Sequence, residues 1–95
     1  MRLLKALIKW FAQPRQKPVY GYILKGWRGR TTYAGITNSP RRRANQHRKN
    51  RKRGRLVVVT KEMTRQQARC WEARHLAAHR RRHGKNPRYN KTLSG

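Results

Sequence analysis

Tyr22, Tyr33, Arg43, His47 and Glu72 are residue types that can act together on a phosphodiester. Phenols and imidazoles move protons, a guanidinium grips phosphate oxygens with a planar fork, and a carboxylate holds a hard cation. Arg43 and His47 lie four apart in the polar run RRRANQHRK, so on a helix they stand one above the other. Glu72 has Ala68 one turn before it and Leu76 one turn after, so it borders the apolar side of a second helix. Glu62 and Glu72 are the only carboxylate side chains. A paired-carboxylate acid/base site and a two-metal site with several acidic ligands both need more acid than this. Hydrolytic chemistry here must run on at most one metal and recruit Tyr, Arg and His.

Those residues need elements to hold them. VYGYILK and RTTYAGIT are rich in Tyr, Ile, Val and Thr, and GWRG between them carries two glycines, which predicts a β-hairpin. Tyr22 and Tyr33 then sit on adjacent strands and can point to one face. Ser39-Pro40 predicts the helix start, with Ser39 as cap and Pro40 in the first helical position. The basic loop RKNRKRGR leads to LVVVT, residues 56–60, whose continuous β-branched run reads as a buried central strand. Thr64 and Gln67 have capping-box spacing and open a second helix that Gly84 ends. KNPRYNKTLSG is a tail. At the other end, Leu3, Leu4, Leu7, Ile8 and Phe11 are spaced as one helix face opposite Lys5 and Lys9, followed by the linker QPRQKP. That basic amphipathic helix suits packing on the domain, a protein partner or a membrane surface. The expected architecture is a small α/β domain, residues 19–95, with about three antiparallel strands flanked by helices. Residues 1–18 form an extra N-terminal helix and linker.

Twenty-seven lysines and arginines face two acidic residues in 95 residues, a formal charge of +25. Such a surplus repels itself in a compact chain and makes sense beside a polyanion, nucleic acid first. The single cysteine, Cys70, excludes an internal disulfide and a cysteine-based metal site, which fits a reducing, cytoplasmic setting. No apolar run is long enough to span a membrane. Lys5 and Lys9 interrupt the apolar N-terminus and no small-residue cleavage site follows, which argues against a signal peptide.

With those residues in place, the chain resembles the GIY-YIG endonuclease family over roughly residues 19–90. The first element is similar to Gly21-Tyr22-Ile23, with the glycine next to the tyrosine instead of two before it. The second is similar to Tyr33-Ala34-Gly35, with Ala in place of the middle Ile. The two tyrosines are eleven positions apart, as is typical of that family. Its helix arginine matches Arg43, the histidine one turn later His47, its metal-binding glutamate Glu72, and its trailing asparagine Asn90.

The resemblance implies a DNA endonuclease using Mg²⁺, or Mn²⁺, held by Glu72. Its products would be 5′-phosphate and 3′-hydroxyl ends. Arg43 would clamp the phosphate, Tyr22 or Tyr33 would accept the proton of the attacking water, and His47 would orient or relay it. Gly35 and Asn90 would support the site. A free phenol has a pKa of about 10, and Arg43, the metal and the cationic chain are expected to depress it. Arg28, Arg41, Arg42, Lys49, Arg51, Lys52 and Arg53 would grip the DNA backbone, and Trp27 would stack on an unpaired base or cap the core. With little chain for target recognition, specificity is expected to be low or supplied by a partner. Small nucleases of this kind resemble those of phages and mobile elements, which would put the chain in host cytoplasm or nucleoid. Taken singly, each residue has a plainer role: the tyrosines as cross-strand packing, Glu72 as a partner of Arg69 or His75, His47 as a surface histidine, Asn90 as a loop cap, and Glu62 at a helix N-terminus. His75, His79 and His83 share one helical stripe, open to zinc or phosphate contact. The rival function is a non-catalytic basic protein that binds DNA or RNA.

Overall fold

A computed structural model describes residues 17–90. The expected amphipathic N-terminal helix and the last tail residues lie outside the described residues. Strand β1 (Tyr20–Lys25) turns through a 3-10 segment (Trp27–Gly29) into β2 (Thr31–Thr37). Helix α1 (Pro40–Lys49), strand β3 (Arg55–Val58) and helix α2 (Arg65–His83) follow. All strand pairs are antiparallel, in the order β2-β1-β3. The expected small α/β domain with a three-stranded antiparallel sheet and two helices is what forms.

The alternation of β1 sets the two faces. Ile23 points to the α2 side, where it packs with Ala34 and Leu76, and Val57 closes the cluster. Tyr22 and Leu24 point to the other face and are fully buried as well. β1 can be buried on both faces because α2 covers the Ile23 side and α1 the Tyr22 side.

One expectation fails here. LVVVT is not a central strand: β3 pairs with β1 alone and lies at the sheet edge, with Val58 40% and Val59 45% exposed. A run of β-branched residues suits an edge as well as a centre, and the glycine-bearing β1 takes the middle. The close approach at Gly21 explains that choice. A Cβ there would lie 2.7 Å from the Trp71 ring on α2, so only glycine lets helix and strand meet.

The helices end as the sequence reads, with one exception. Thr64 and Gln67 form the full capping box of α2, and Gly84 ends it in the left-handed region at φ 77°. Pro40 sits in the first turn of α1, but the Ser39 hydroxyl makes no capping bond. Instead the Ser39 N–H donates to Thr37 Oγ1 at 3.0 Å, so the turn from β2 consumes the local hydrogen bonding. Glu62 is also outside the first turn of α2; it accepts a hydrogen bond from the Tyr20 hydroxyl at 3.3 Å.

With β2 at the other edge of the sheet, its outer backbone groups need partners. The last described residues supply them. Tyr89 N–H donates to Thr32 O at 2.8 Å. The Asn90 amide pairs with Ala34 twice, accepting from its N–H at 2.8 Å and donating to its carbonyl at 2.9 Å. Asn90 is thus a side-chain substitute for one more strand residue, not the loop cap its position suggests.

Candidate functional site

Tyr22 and Gly35 are direct cross-strand partners, and Tyr33 is two residues from Gly35 on the same face. A Cβ on Gly35 would meet the Tyr33 ring at 2.8 Å and the Tyr22 hydroxyl at 2.9 Å. The glycine leaves the space in which the two phenols converge, with ring centroids 6.0 Å apart. Helix α1 closes this face from above. His47 is 4% exposed, although the rest of α1 is mostly solvated. Its Nε2 lies 2.6 Å from the Tyr22 hydroxyl, and its ring is 4.8 Å from that of Tyr33. His47 Nδ1 is buried without a hydrogen-bond partner among the described residues. Such an orphaned atom is uncommon in a settled core and marks a site that accepts a local cost.

Three charged groups act on this cluster. Arg43, one turn before His47, acts electrostatically on Tyr22, Tyr33 and His47. Lys52 places its Nζ 4.6 Å from the centre of the Tyr33 ring. Glu72, on α2, acts electrostatically on both phenols. The five residues expected to do chemistry therefore share one electrostatic neighbourhood, built from four elements, β1, β2, α1 and α2.

Burial dominates the acid–base character. It holds the Tyr22 phenol far above the ordinary tyrosine range, Tyr33 adding to the effect and Arg43 opposing it. Tyr33 is raised too, by burial first and then by Glu72. The expected depression of the phenols is thus corrected. Arg43 pulls in that direction, but desolvation of a phenolate is the larger effect. His47 is lowered to about 4, by burial first, then by Lys52 and Arg43. Burial raises the Glu72 carboxyl against the opposing charge of Arg69.

Glu72 is half-buried, and the cation that acts on its carboxylate is Arg69. No group of three or more His, Cys, Asp or Glu that could hold a metal occurs among the described residues. Glu72 is the one carboxylate acting on the cluster, a donor compatible with a hard cation that keeps most of its water shell and takes phosphate oxygens. It does not fit an ion that demands three or four side-chain ligands. The histidine stripe has other contacts: His75 stacks on Trp71 at 4.9 Å, and His79 Nδ1–H donates to the Lys85 carbonyl at 2.8 Å.

Arg41, Arg42 and Lys49 lie exposed on α1, with Arg51 and Arg53 exposed on the loop after it. Lys52, expected to grip the DNA backbone, lies over the Tyr33 ring. Trp27 is 79% exposed, which excludes a role as a core cap. The residues missed by sequence reasoning are Thr60, whose hydroxyl accepts the Gly21 N–H at 2.8 Å, and Tyr89 and Thr32, which tie the hairpin to the loop ending at Arg53. Only the closeness of Tyr89 to Asn90 hinted at these. No known protein-family profile matches the chain, and no curated protein or solved structure is significantly similar to it. What is established is the class of the fold, a small α/β domain whose central hairpin carries two tyrosines beneath a buried histidine.

Proposed function

We propose that the chain is a metal-dependent endonuclease that hydrolyses DNA phosphodiesters with low or partner-supplied sequence specificity. The observation that carries this reading is the buried Tyr22–His47 hydrogen bond, flanked by two cations and under the electrostatic influence of the Glu72 carboxylate. Arg43 and Lys52 would hold the non-bridging oxygens of the scissile phosphate. A magnesium or manganese ion held by Glu72 would supply Lewis-acid stabilisation of the leaving oxygen.

Tyr22 is too weak an acid to exist as phenolate at neutral pH, so it acts as a relay. The half-exposed Tyr33 hydroxyl takes a proton from the attacking water as it gives its own to the buried Tyr22 hydroxyl, which gives its own to His47 Nε2. The water oxygen bonds to phosphorus, the bond to the 3′ oxygen breaks, and that oxygen takes a proton from solvent. Neutral His47 is a feeble base in the free protein because burial, Lys52 and Arg43 all disfavour its cation. A bound phosphate neutralises the last two. Substrate thus raises the basicity of His47 at the moment the proton must move, and water meets a poor base when no DNA is bound.

Supercoiled plasmid incubated with Mg²⁺ tests this reading, against EDTA and against Glu72→Gln. Relaxed or linear product only with Mg²⁺ and intact Glu72 is expected. Plasmid that stays intact while bound would reassign the chain as a basic nucleic-acid-binding protein. Equal cutting by Glu72→Gln would remove the metal role from Glu72.

A further inference from the structure

A groove of about 1640 Å³ runs between the hairpin tip, the C-terminal half of α2 and residues 84–90. It is larger than the roughly 300–1,000 Å³ of a small-ligand pocket. Arg28 and Arg30 from the hairpin, Arg53 from the loop, Arg82 from α2, and Lys85 and Arg88 from the C-terminal turn all line it. Four separate segments therefore bring cations to one channel, and neither glutamate lines it. The charge pattern calls for an extended polyanion rather than a single anion.

Trp27 also lines this groove, and its exposure is the second observation. Its ring meets the Arg28 guanidinium, 5.8 Å from the centroid. Arg28 holds φ 57°, in the left-handed region where glycine or asparagine would turn the chain at lower cost. An exposed indole beside cations is a stacking platform for a base. Paired bases already have both faces covered, so the platform suits an unpaired one.

Thr32 lines the groove on the α2 side of the sheet, opposite the face that carries Tyr33. Arg53 lines it and directly follows Lys52, which lies over Tyr33. The loop of Lys52 and Arg53 thus borders both the groove and the tyrosine face.

We propose that this groove binds an unpaired DNA strand, with Trp27 stacking on a base and Arg30, Arg82 and Arg88 on phosphates. The preferred substrates are then flaps, gaps or branched DNA rather than plain duplex. The substrate preference rests on the nuclease reading; strand binding stands or falls alone.

The test measures binding without cleavage. Glu72→Gln protein in EDTA is titrated with a fluorescent single-stranded oligonucleotide and with a blunt hairpin duplex, read by anisotropy. Adding Trp27→Ala is expected to weaken single-strand binding about tenfold and duplex binding less than twofold. Trp27→Phe, which keeps a ring, should recover most of the loss. Arg30→Ala, Arg82→Ala and Arg88→Ala together should reduce the salt slope on single strands by about 2, at ~0.7 per lost phosphate contact. Equal weakening on both DNAs, or no weakening, would overturn the groove assignment. Because no turnover is needed, an uncut plasmid in the cleavage assay would leave this result intact, and a nuclease indifferent to Trp27 would sink the groove alone.

Discussion

At the scale of single residues, the site turns on two buried atoms, the Tyr22 hydroxyl and His47 Nε2. Tyr22→Phe keeps the ring that fills the face over Gly35 and removes only the relay oxygen. Cleavage should fall by about 10²–10⁴-fold, the usual worth of a positioned acid–base group. Plasmid binding in EDTA should hardly change. Cleavage at the wild-type rate would end the relay. His47 makes a second prediction through stability. Its folded pKa, about 4, lies below the ordinary value of 6.5, so between those pH values the unfolded chain binds a proton that the native chain refuses. Stability contributed by neutral His47 is therefore complete above about pH 6.5 and lost as pH falls toward 4, by up to ~3 kcal/mol at ~1.4 kcal/mol per unit. Glu72, with its carboxyl raised, works in the opposite direction, and His75, also lowered by burial, in the same one. Comparing His47→Asn with wild type cancels both. Denaturant midpoints should lose much of their pH slope between 4 and 6.5 in the variant, and parallel slopes would contradict a buried neutral histidine. The sequence indicates which residue types converge but not that His47 is buried. α1 is too polar to suggest it, because the cover comes from tyrosines on another element.

At the scale of elements, the hairpin, the capping box of α2 and the glycine after it were legible because each depends on neighbours in sequence. The edge position of β3 was not. Five consecutive apolar or β-branched residues have no alternation to reveal which side lacks a partner. Nor was the pairing of Asn90 with β2, which joins residues 56 apart. That pairing carries its own prediction. Asn90→Ala strips the partner from a buried Ala34 N–H and carbonyl and should cost about 1–3 kcal/mol. The melting temperature should drop by roughly 5–15 °C for a domain this small. A shift under 2 °C would show that water replaces the amide at the β2 edge. Gly35→Ala acts differently. Its methyl group must displace Tyr22 or Tyr33 from van der Waals contact, since it would sit 2.8–2.9 Å from their atoms. Overpacking of that kind costs about 1–3 kcal/mol. It should also part Tyr22 from His47, so cleavage should fall further than stability alone would explain. The readout is the single-turnover rate well below the melting temperature, where all the protein is folded. A normal rate there would show that the phenol–imidazole contact survives.

At the scale of the whole molecule, one quantity joins fold and function. A formal charge of +25 sits on a domain whose buried apolar residues among those described are only Val19, Tyr22, Ile23, Leu24, Ala34, Ala68 and Leu76. Self-repulsion among cations works against so thin a core, and it is not relieved internally, because two glutamates cannot pair with 27 cations. Added salt screens it, since the Debye length shortens from about 10 Å at 0.1 M to about 3 Å at 1 M. The same salt competes with the protein for DNA phosphates. Stability and affinity must then move in opposite directions along one titration. From 50 to 500 mM NaCl the melting temperature should rise by several degrees, while DNA affinity falls by two or more orders of magnitude. Bound DNA should replace salt as the stabilising polyanion: at 50 mM NaCl, saturating oligonucleotide should lift the melting temperature more than at 500 mM. Differential scanning fluorimetry with and without DNA at both salt levels measures all four states. A melting temperature that falls with salt would mean that the surplus charge is already accommodated by the fold. The basic surface would then have to be explained by something other than a polyanion that completes it.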